Sequence, residues 1–246
     1  MTLLRAVDLR KSFDGIDAVA GVSFDVAAGE LVALIGPNGA GKTTCFNLLN
    51  GQIRPDAGQV LLNGADIAGR PPRAIARFGV GRGFQVAATF ASMTAREAAQ
   101  TALAAHHGAV WRFLRPARGQ FRAEAEALLD RAGLAGLADR ADGELTHGER
   151  KRLDLALALS NDPALLLMDE PAAGLTREEG RAVVRQLKSA ARERGCAVLF
   201  TEHDMDIVFE LADRVLAMDK GRLIATGAPA EVRADPVVRA VYLGEA

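Results

Sequence analysis

The chain has little of what marks several large classes of protein. It has 2 cysteines in 246 residues, too few for a disulfide framework, which indicates a reducing compartment. Its 30 Lys and Arg residues balance 31 Asp and Glu residues, so no overall field attracts it to nucleic acid, and we expect no nucleic-acid partner. The longest stretch without these charged residues, 98–111, is shorter than the about 18 residues that a membrane-spanning helix needs. Because residues 1–10 also lack the apolar core of a secretory signal, we expect a chain that neither spans a membrane nor carries a leader.

Short apolar runs alternate with helical patterns through much of the chain. Four runs are bounded by glycine, proline or charge, as expected of strands buried on both faces of a parallel sheet. They lie at 31–35, 164–168, 197–201 and 214–218. Helical patterns lie at 42–50, 149–160 and 176–194. Because strand and helix alternate, the sequence predicts an α/β fold.

Two regions differ from this alternation. Residues 1–30 and 58–82 carry shorter alternating segments with turn signals such as Asp14-Gly15, which favour a small antiparallel sheet. Residues 86–145 are rich in alanine, which favours helices. Glycine or proline interrupts these helices at Gly108, Pro116, Gly119, Gly133 and Gly143. The composition predicts a helical insertion between the first and later strands of the main sheet.

A glycine-rich segment follows the first buried run and opens the first helical pattern. It contains Gly36, Pro37, Asn38, Gly39, Ala40, Gly41, Lys42 and Thr43, with Thr44 next. This is the phosphate-loop pattern, in which backbone N–H groups and a helix N-terminus face phosphate. We expect Lys42 to bridge the terminal phosphates of a nucleotide and the Thr43 hydroxyl to coordinate Mg²⁺. The alternative is a glycine-rich turn without a ligand, and the strand and helix that flank the motif argue against it.

Two carboxylates end another buried run. Asp169 and Glu170 follow four apolar residues, which places them at the carboxyl edge of the sheet beside the phosphate loop. Asp169 is expected to hold Mg²⁺, and Glu170 to orient and polarise an attacking water. A solvated strand end is the common alternative for such a pair. Pro171 and the accompanying phosphate loop favour the catalytic interpretation.

With these motifs the chain resembles the nucleotide-binding subunit of ATP-binding cassette (ABC) transporters over nearly all of its length. The resemblance implies a P-loop NTPase (RecA-like) core with a small antiparallel β subdomain and an α-helical insertion, and it implies ATP and Mg²⁺ as cofactors. It implies that Phe13 stacks on adenine with Ala18 beside the same base. It implies that Gln85 reaches Mg²⁺ and the attacking water, and that His203 contacts the γ-phosphate.

These implied roles complete a set of expected site residues. The catalytic residues are Glu170, His203 and Gln85, the magnesium ligands are Thr43, Gln85 and Asp169, and residues 36–44 bind ATP with Phe13 and Ala18. A lone histidine after a strand is most often structural, which is the alternative for His203. Its position after a buried run, at the edge that carries Asp169, favours the functional interpretation.

A second phosphate site is implied at the segment where the family has its signature. This segment contains Thr146, His147, Gly148 and Glu149, and in the family it contacts the ATP bound on a partner subunit. Thr146 is expected to cap the helix that follows, with Glu149 as capping-box partner, and capping is compatible with anion binding. The family signature usually reads Ser-Gly-Gly-Gln, so the role of Glu149 stays open. Thr176 also stands where the family's interface loop has aspartate.

The resemblance also implies a division of the chain. We expect residues 1–246 to form one cassette with four parts. The nucleotide-binding core with its antiparallel part takes about 1–85, and a helical subdomain that ends in the signature takes about 86–148. The rest of the core takes about 149–232, and a tail helix takes about 233–246. The tail begins with Asp235-Pro236 and has apolar residues at 237, 238, 241 and 243, which predicts a short helix docked on the body.

Within the family, the chain is most similar to ATPase subunits of branched-chain amino acid importers, with urea and amide importers as near relatives. The segments 83–94, 169–175 and 235–244 carry this similarity. It implies a second ATPase subunit, two membrane permease subunits and, indirectly, an extracytoplasmic solute-binding protein as partners. The implied location is cytoplasmic, peripheral on the inner face of the cell membrane. A soluble ABC ATPase without a permease is the alternative, and a kinase is disfavoured by Gln85, His203 and the signature segment.

A docking surface for the permease is expected at 86–96. Phe90 and Met93 are apolar residues on an otherwise small-residue stretch. The alternative, about equally favoured, is that both side chains are buried in the core of the helical insertion.

Overall fold

The computed structural model describes residues 2–83, 92–108 and 121–242, and two sheets organise it. The smaller sheet is antiparallel in the order β2-β1-β4-β5. Its strands are β1 (Thr2–Phe13), β2 (Ile16–Ala27), β4 (Ala57–Leu62) and β5 (Ala65–Asp66). The turn signal at Asp14-Gly15 joins β1 to β2, with both residues at positive φ. The predicted antiparallel sheet is confirmed.

The larger sheet contains the predicted buried runs. Its order is β10-β9-β3-β8-β7-β6, and β3 pairs in parallel with both β8 and β9. Its strands are β3 (Leu31–Ile35), β6 (Val80–Gly83), β7 (Leu165–Asp169), β8 (Ala197–Thr201), β9 (Arg214–Asp219) and β10 (Arg222–Gly227). Every residue of β3 and β8 is buried, as expected of central parallel strands. The predicted α/β fold is confirmed.

Strand β6 corrects one expectation. It lies largely within the region 58–82 that was expected to be antiparallel, but it pairs in parallel with β7 at the edge of the main sheet. Its sequence, Val-Gly-Arg-Gly, has no apolar run that would reveal it. The missing side chain of Gly83 has a packing reason, because a Cβ there would lie 2.2 Å from the Sδ of Met168 on β7.

Nine α-helices lie in the described ranges, and the helical patterns at 42–50, 149–160 and 176–194 correspond to three of them. The nine are α1 (Lys42–Leu49), α2 (Pro72–Arg77), α3 (Ala95–His106), α4 (Arg122–Arg131), α5 (His147–Leu159), α6 (Arg177–Arg194), α7 (Met205–Leu211), α8 (Pro229–Ala234) and α9 (Pro236–Tyr242). Capping boxes open α3, α5 and α6 at Thr94, Thr146 and Thr176, and Gly195 ends α6 in the left-handed conformation. The helical insertion, with α3 and α4, lies between β6 and β7.

Three apolar cores hold these elements together. One lies between the two sheets and includes Phe46, and a second covers the opposite face of the main sheet and includes Phe200. The third lies within the helical insertion. Helix α5 joins the last two, because Leu153 is buried in the insertion core and Leu155 in the core below the main sheet. The helix is therefore a rigid connection between the insertion and the main sheet.

The tail helix α9 packs on the body, but with fewer residues than expected. Val238 is 3% exposed and belongs to the core below the main sheet. Val237 was expected to dock, yet it is 51% exposed, because adjacent residues of a helix point in different directions. Position 243 lies outside the described residues. Within the ranges that the structure describes, no helix combines the length and the apolar character needed to cross a membrane.

Candidate functional site

The phosphate loop occupies the turn between β3 and α1. Gly41 caps α1 with φ 101° and ψ 4°, and no side chain accepts a hydrogen bond from the start of this helix. The first N–H groups of a helix have no partner within the helix, so the uncapped start of α1 leaves donors for an anion. The loop geometry therefore fits phosphate, as the sequence predicts.

Two glycines of the loop are required by close backbone approach. A Cβ on Gly41 would lie 2.2 Å from the carbonyl oxygen of Ala18, and one on Gly36 would lie 2.7 Å from that of Met218. This approach places the backbone of Ala18 against the loop, and its position beside adenine stays a prediction. Phe13 lies at the end of β1, opposite Ile16, with its ring 44% exposed. An exposed ring is available for stacking on a base, and its contact with adenine stays a prediction.

Lys42 closes on its own loop. Its Nζ donates hydrogen bonds to the carbonyl oxygen of Gly36 and, over 3.1 Å, to that of Pro37. Burial lowers the pKa of Lys42, and the negative charges of Glu170 and Asp169 oppose this shift. Because β3 and β7 both pair in parallel with β8, the phosphate loop and the two carboxylates follow strands that end at the same edge of the sheet, which places the two predicted motifs in one site.

Asp169 has a hydroxyl partner that sequence reasoning missed. Its Oδ1 accepts a 2.6 Å hydrogen bond from the Oγ1 of Thr201, and the two residues are register partners of β7 and β8. The available signal was Thr201 itself, a polar residue at the end of the apolar run 197–201. The site fits Mg²⁺ chemically, because the Asp169 carboxylate and the Thr43 hydroxyl are hard oxygen donors. No group of three or more His, Cys, Asp or Glu side chains in the described ranges could hold a metal, so such an ion would need phosphate or water oxygens as well.

Glu170 is held in a strained conformation beside His203. Its φ is 50°, in the left-handed region that non-glycine residues rarely adopt. Its backbone N–H donates to the O and the Oγ1 of Thr201, each over 3.1 Å. Its Oε1 lies 2.9 Å from the Nε2 of His203, which donates because a carboxylate only accepts. The structure thus brings together two predicted catalytic residues that are far apart in the chain.

Glu202 holds the backbone next to both predicted catalytic residues. It is 4% exposed, its Oε1 accepts from the N–H of Ala172 over 2.5 Å, and its Oε2 accepts from the N–H of His203 over 3.2 Å. Burial raises the pKa of Glu202, and these two hydrogen bonds oppose the shift. Sequence reasoning missed this residue, since an acidic residue after a strand has no visible sign of burial.

The signature turn is a capping box at the start of α5. The N–H of Glu149 donates to the Oγ1 of Thr146 over 3.3 Å, and the N–H of Thr146 donates to Glu149 Oε2 over 2.7 Å. The bond from Thr146 lowers the pKa of Glu149. The carboxylate that replaces the family's glutamine is therefore engaged with the helix start.

Thr176, in place of the family's aspartate, caps α6 in the same way. Its Oγ1 accepts from the N–H of Glu179 over 3.3 Å, and its N–H donates to Glu179 Oε2 over 3.0 Å. Thr176→Ala is expected to destabilise the fold by about 1 kcal/mol, because it removes the cap. Urea unfolding measures this. Thr101→Ala is the matched control, since Thr101 lies inside α3 and alanine is a better helix former there. Equal stability of Thr176→Ala and the wild type would contradict the capping role.

Two predicted residues lie outside the described residues. Gln85 and Phe90 both fall within 84–91, so their roles stay predictions. Met93 is partly buried, and its carbonyl oxygen accepts a 2.8 Å hydrogen bond from the N–H of Asp142, which ties it to the segment before the signature.

Comparisons with known proteins agree with this geometry. A model described as "ABC transporter" matches residues 19–173, and one described as "Branched-chain amino acid ATP-binding cassette transporter" matches 222–246. The chain is 38% identical to the high-affinity branched-chain amino acid transport ATP-binding protein BraF of Pseudomonas aeruginosa, with 99% of this chain and 98% of that protein covered. It is 37% identical to LivG, of the same description, of Escherichia coli, over 99% and 98% of the two chains.

Relatives that are named for a different transport system are almost as similar to this chain as BraF and LivG are. The lipopolysaccharide export system ATP-binding protein LptB of Acidithiobacillus ferridurans is 37% identical, with 99% of this chain and 97% of that protein covered. Among solved structures, a nucleotide-free ATP-binding cassette from an ABC transporter superimposes with a TM-score of 0.87 at 29% identity, over all of both chains.

Proposed function

Because the chain belongs to the ABC transporter family and is one of its ATP-hydrolysing subunits, we propose that it powers an importer of branched-chain amino acids. Branched-chain amino acids are supported as the substrate mainly by the match of residues 222–246 to the branched-chain amino acid cassette model. BraF and LivG, which are similar over nearly their whole length, support the same substrate.

Lipopolysaccharide export is the second candidate function. LptB proteins match this chain almost as well as BraF and LivG do, so overall identity does not separate the two functions. The substrate is selected by the membrane partners, since an ATPase subunit of this kind does not touch the solute.

We expect the working unit to contain two ATPase subunits and two membrane permease subunits, at the inner face of the cell membrane. The proposal of a dimer is supported by the arrangement of the phosphate-binding features within the chain. The phosphate loop opens α1, whereas the signature turn opens α5, so each chain offers two separate helix starts to phosphate. In a dimer, each ATP would lie between the phosphate loop of one subunit and the signature of the other.

The proposed reaction is attack of water on the γ-phosphorus of ATP, which breaks its bond to the oxygen that bridges the β- and γ-phosphates and releases ADP and phosphate, while Glu170 takes the proton of the water. Lys42 and the N–H groups at the start of α1 bind and orient the phosphates. Asp169 and Thr43 would hold Mg²⁺, which supplies charge stabilisation for the phosphate oxygens when it is bound. Glu170 accepts the hydrogen bond of the attacking water and polarises it, while His203, 2.9 Å from Glu170, orients the carboxylate. The predicted contact of His203 with the γ-phosphate would be made from this same position. The strained backbone of Glu170 aims this side chain from the end of β7.

Uptake measurements in cells that depend on this chain test the function. Cells whose only copy is Glu170→Gln are expected to lose uptake of radiolabelled leucine, isoleucine and valine and to keep uptake of urea. The tagged wild-type chain is expected to co-purify from membranes with two hydrophobic subunits. Unchanged leucine uptake would contradict the proposal, and lipopolysaccharide that accumulates at the inner membrane would favour the second candidate. Recovery of the chain without any membrane protein would favour an ABC ATPase outside transport.

A further inference from the structure

Two residues at the start of α5, one in the first turn and one in the second, contact the loop that follows β7. The Nε2 of His147 lies 3.1 Å from the carbonyl oxygen of Ala173, and it donates because a carbonyl only accepts. One turn further along α5, the Nζ of Lys151 donates to the carbonyl oxygen of Glu170 over 3.4 Å. Residues spaced by four lie on the same face of a helix, so both side chains reach the same loop. The signature turn is therefore tied to the loop that carries Glu170 within one chain.

The loop is shaped around the imidazole ring of His147. Gly174 has a φ of 76°, and a Cβ on it would lie 2.8 Å from the Nε2 of His147. On the other side, a Cβ on Gly148 would lie 3.1 Å from the Oε1 of Glu179 at the start of α6. The signature turn thus lies in close contact with the loop 170–174 at Gly174 and with the start of α6 at Gly148.

Lys151 is an unusual residue to find in this contact. It is 8% exposed, and buried lysines are rare because the ammonium group loses hydration unless a polar group replaces it. The carbonyl of Glu170 is such a group. Since the N–H of Glu170 is already held by Thr201, the bond from Lys151 fixes the strained peptide of Glu170 from its other side.

We propose that His147 and Lys151 are positioning residues that clamp the signature turn onto the loop 170–174 and hold the Glu170 carboxylate in its catalytic orientation. A residue at a φ of 50° keeps that conformation only when its surroundings over-determine it. The clamp supplies one contact to Glu170 itself, from Lys151, and one to the same loop at Ala173, from His147. Because α5 is rigidly buried in two cores, a shift of the signature turn moves the loop as well. The inference deepens the proposed ATPase function and rests on it.

Paired variants of His147 in the full-length chain test the clamp. His147→Leu keeps the bulk of the ring and removes the donor, and we expect kcat for ATP hydrolysis to fall by about 3- to 10-fold, the scale of one lost hydrogen bond. KM for ATP is expected to stay within about twofold, because the phosphate loop is untouched and the His147 ring, although it belongs to the signature segment, contacts Ala173 and Gly174 of its own chain. His147→Gln keeps an N–H donor near the same place and is expected to recover most of the loss. His106→Leu, an exposed histidine on α3, is the control and is expected to retain wild-type kcat.

Amide hydrogen exchange at residues 170–174 tests the same clamp without turnover. Exchange is expected to be faster in His147→Leu and in Lys151→Met, and close to wild type in His147→Gln. The clamp is overturned if His147→Leu retains wild-type kcat and exchange, or if the Gln and Leu variants are equally impaired. A wild-type chain that does not hydrolyse ATP would instead overturn the proposed function, and the exchange measurement would still decide on the clamp.

Discussion

Glu170→Gln is expected to retain ATP binding and to lose hydrolysis by about 10²-fold or more, the scale of a positioned general base. The glutamine oxygen is able to accept the hydrogen bond that His203 donates over 2.9 Å, so the local geometry is kept. The amide has no negative charge to polarise water and does not accept its proton. The loss is therefore expected in kcat rather than in affinity, and it is measured by single-turnover hydrolysis together with ATP titration.

Glu178→Gln is the matched control for this prediction. Glu178 is exposed in the first turn of α6, and the same isosteric change there is expected to leave kcat unchanged. Wild-type turnover in Glu170→Gln would remove Glu170 from its predicted role. A large loss of ATP affinity in this variant would show instead that the carboxylate shapes the binding site.

Lys42→Ala is expected to weaken ATP binding itself. Charge-assisted hydrogen bonds contribute about 1.5–3 kcal/mol each, which corresponds to about 10- to 150-fold in affinity. The Lys42 ammonium bonds to carbonyls of its own loop, which places it at the start of α1. A phosphate group carries a full negative charge and is a stronger acceptor for this cation than a neutral carbonyl. Isothermal titration with ATP measures the effect.

Lys42→Met separates charge from packing in this experiment. Methionine keeps most of the apolar stem and removes the ammonium group, so we expect the same loss of affinity as in the alanine variant. Unfolding curves of both variants show whether the loop still folds. Wild-type affinity in the folded Lys42→Met variant would contradict the phosphate-loop prediction.

Local spacing explains why some parts of this protein are predictable. The phosphate loop, the carboxylate pair at 169–170 and the Thr-x-x-Glu capping boxes are each contained in a few consecutive residues, so the sequence shows them directly. The central strands are predictable for a related reason, since burial on both faces requires an unbroken apolar run. Strand β6 was placed in the wrong sheet because its glycines serve close packing, Gly83 against Met168 and Gly81 against Pro163 and Leu166, and that need arises only in the folded molecule.

The sequence by itself determined the chemistry of this protein: a helix start open to phosphate, a lysine, a strand that ends in two carboxylates, and threonines that cap three further helices. Only the tertiary structure decided which of these groups meet. The bond from His203 to Glu170, the bond from Thr201 to Asp169 and the contact of His147 with Ala173 each join distant parts of the chain. Their physical basis is the register of β7 with β8 and the burial of α5 in two cores. Both arise from long-range packing, and no local pattern of residues records them.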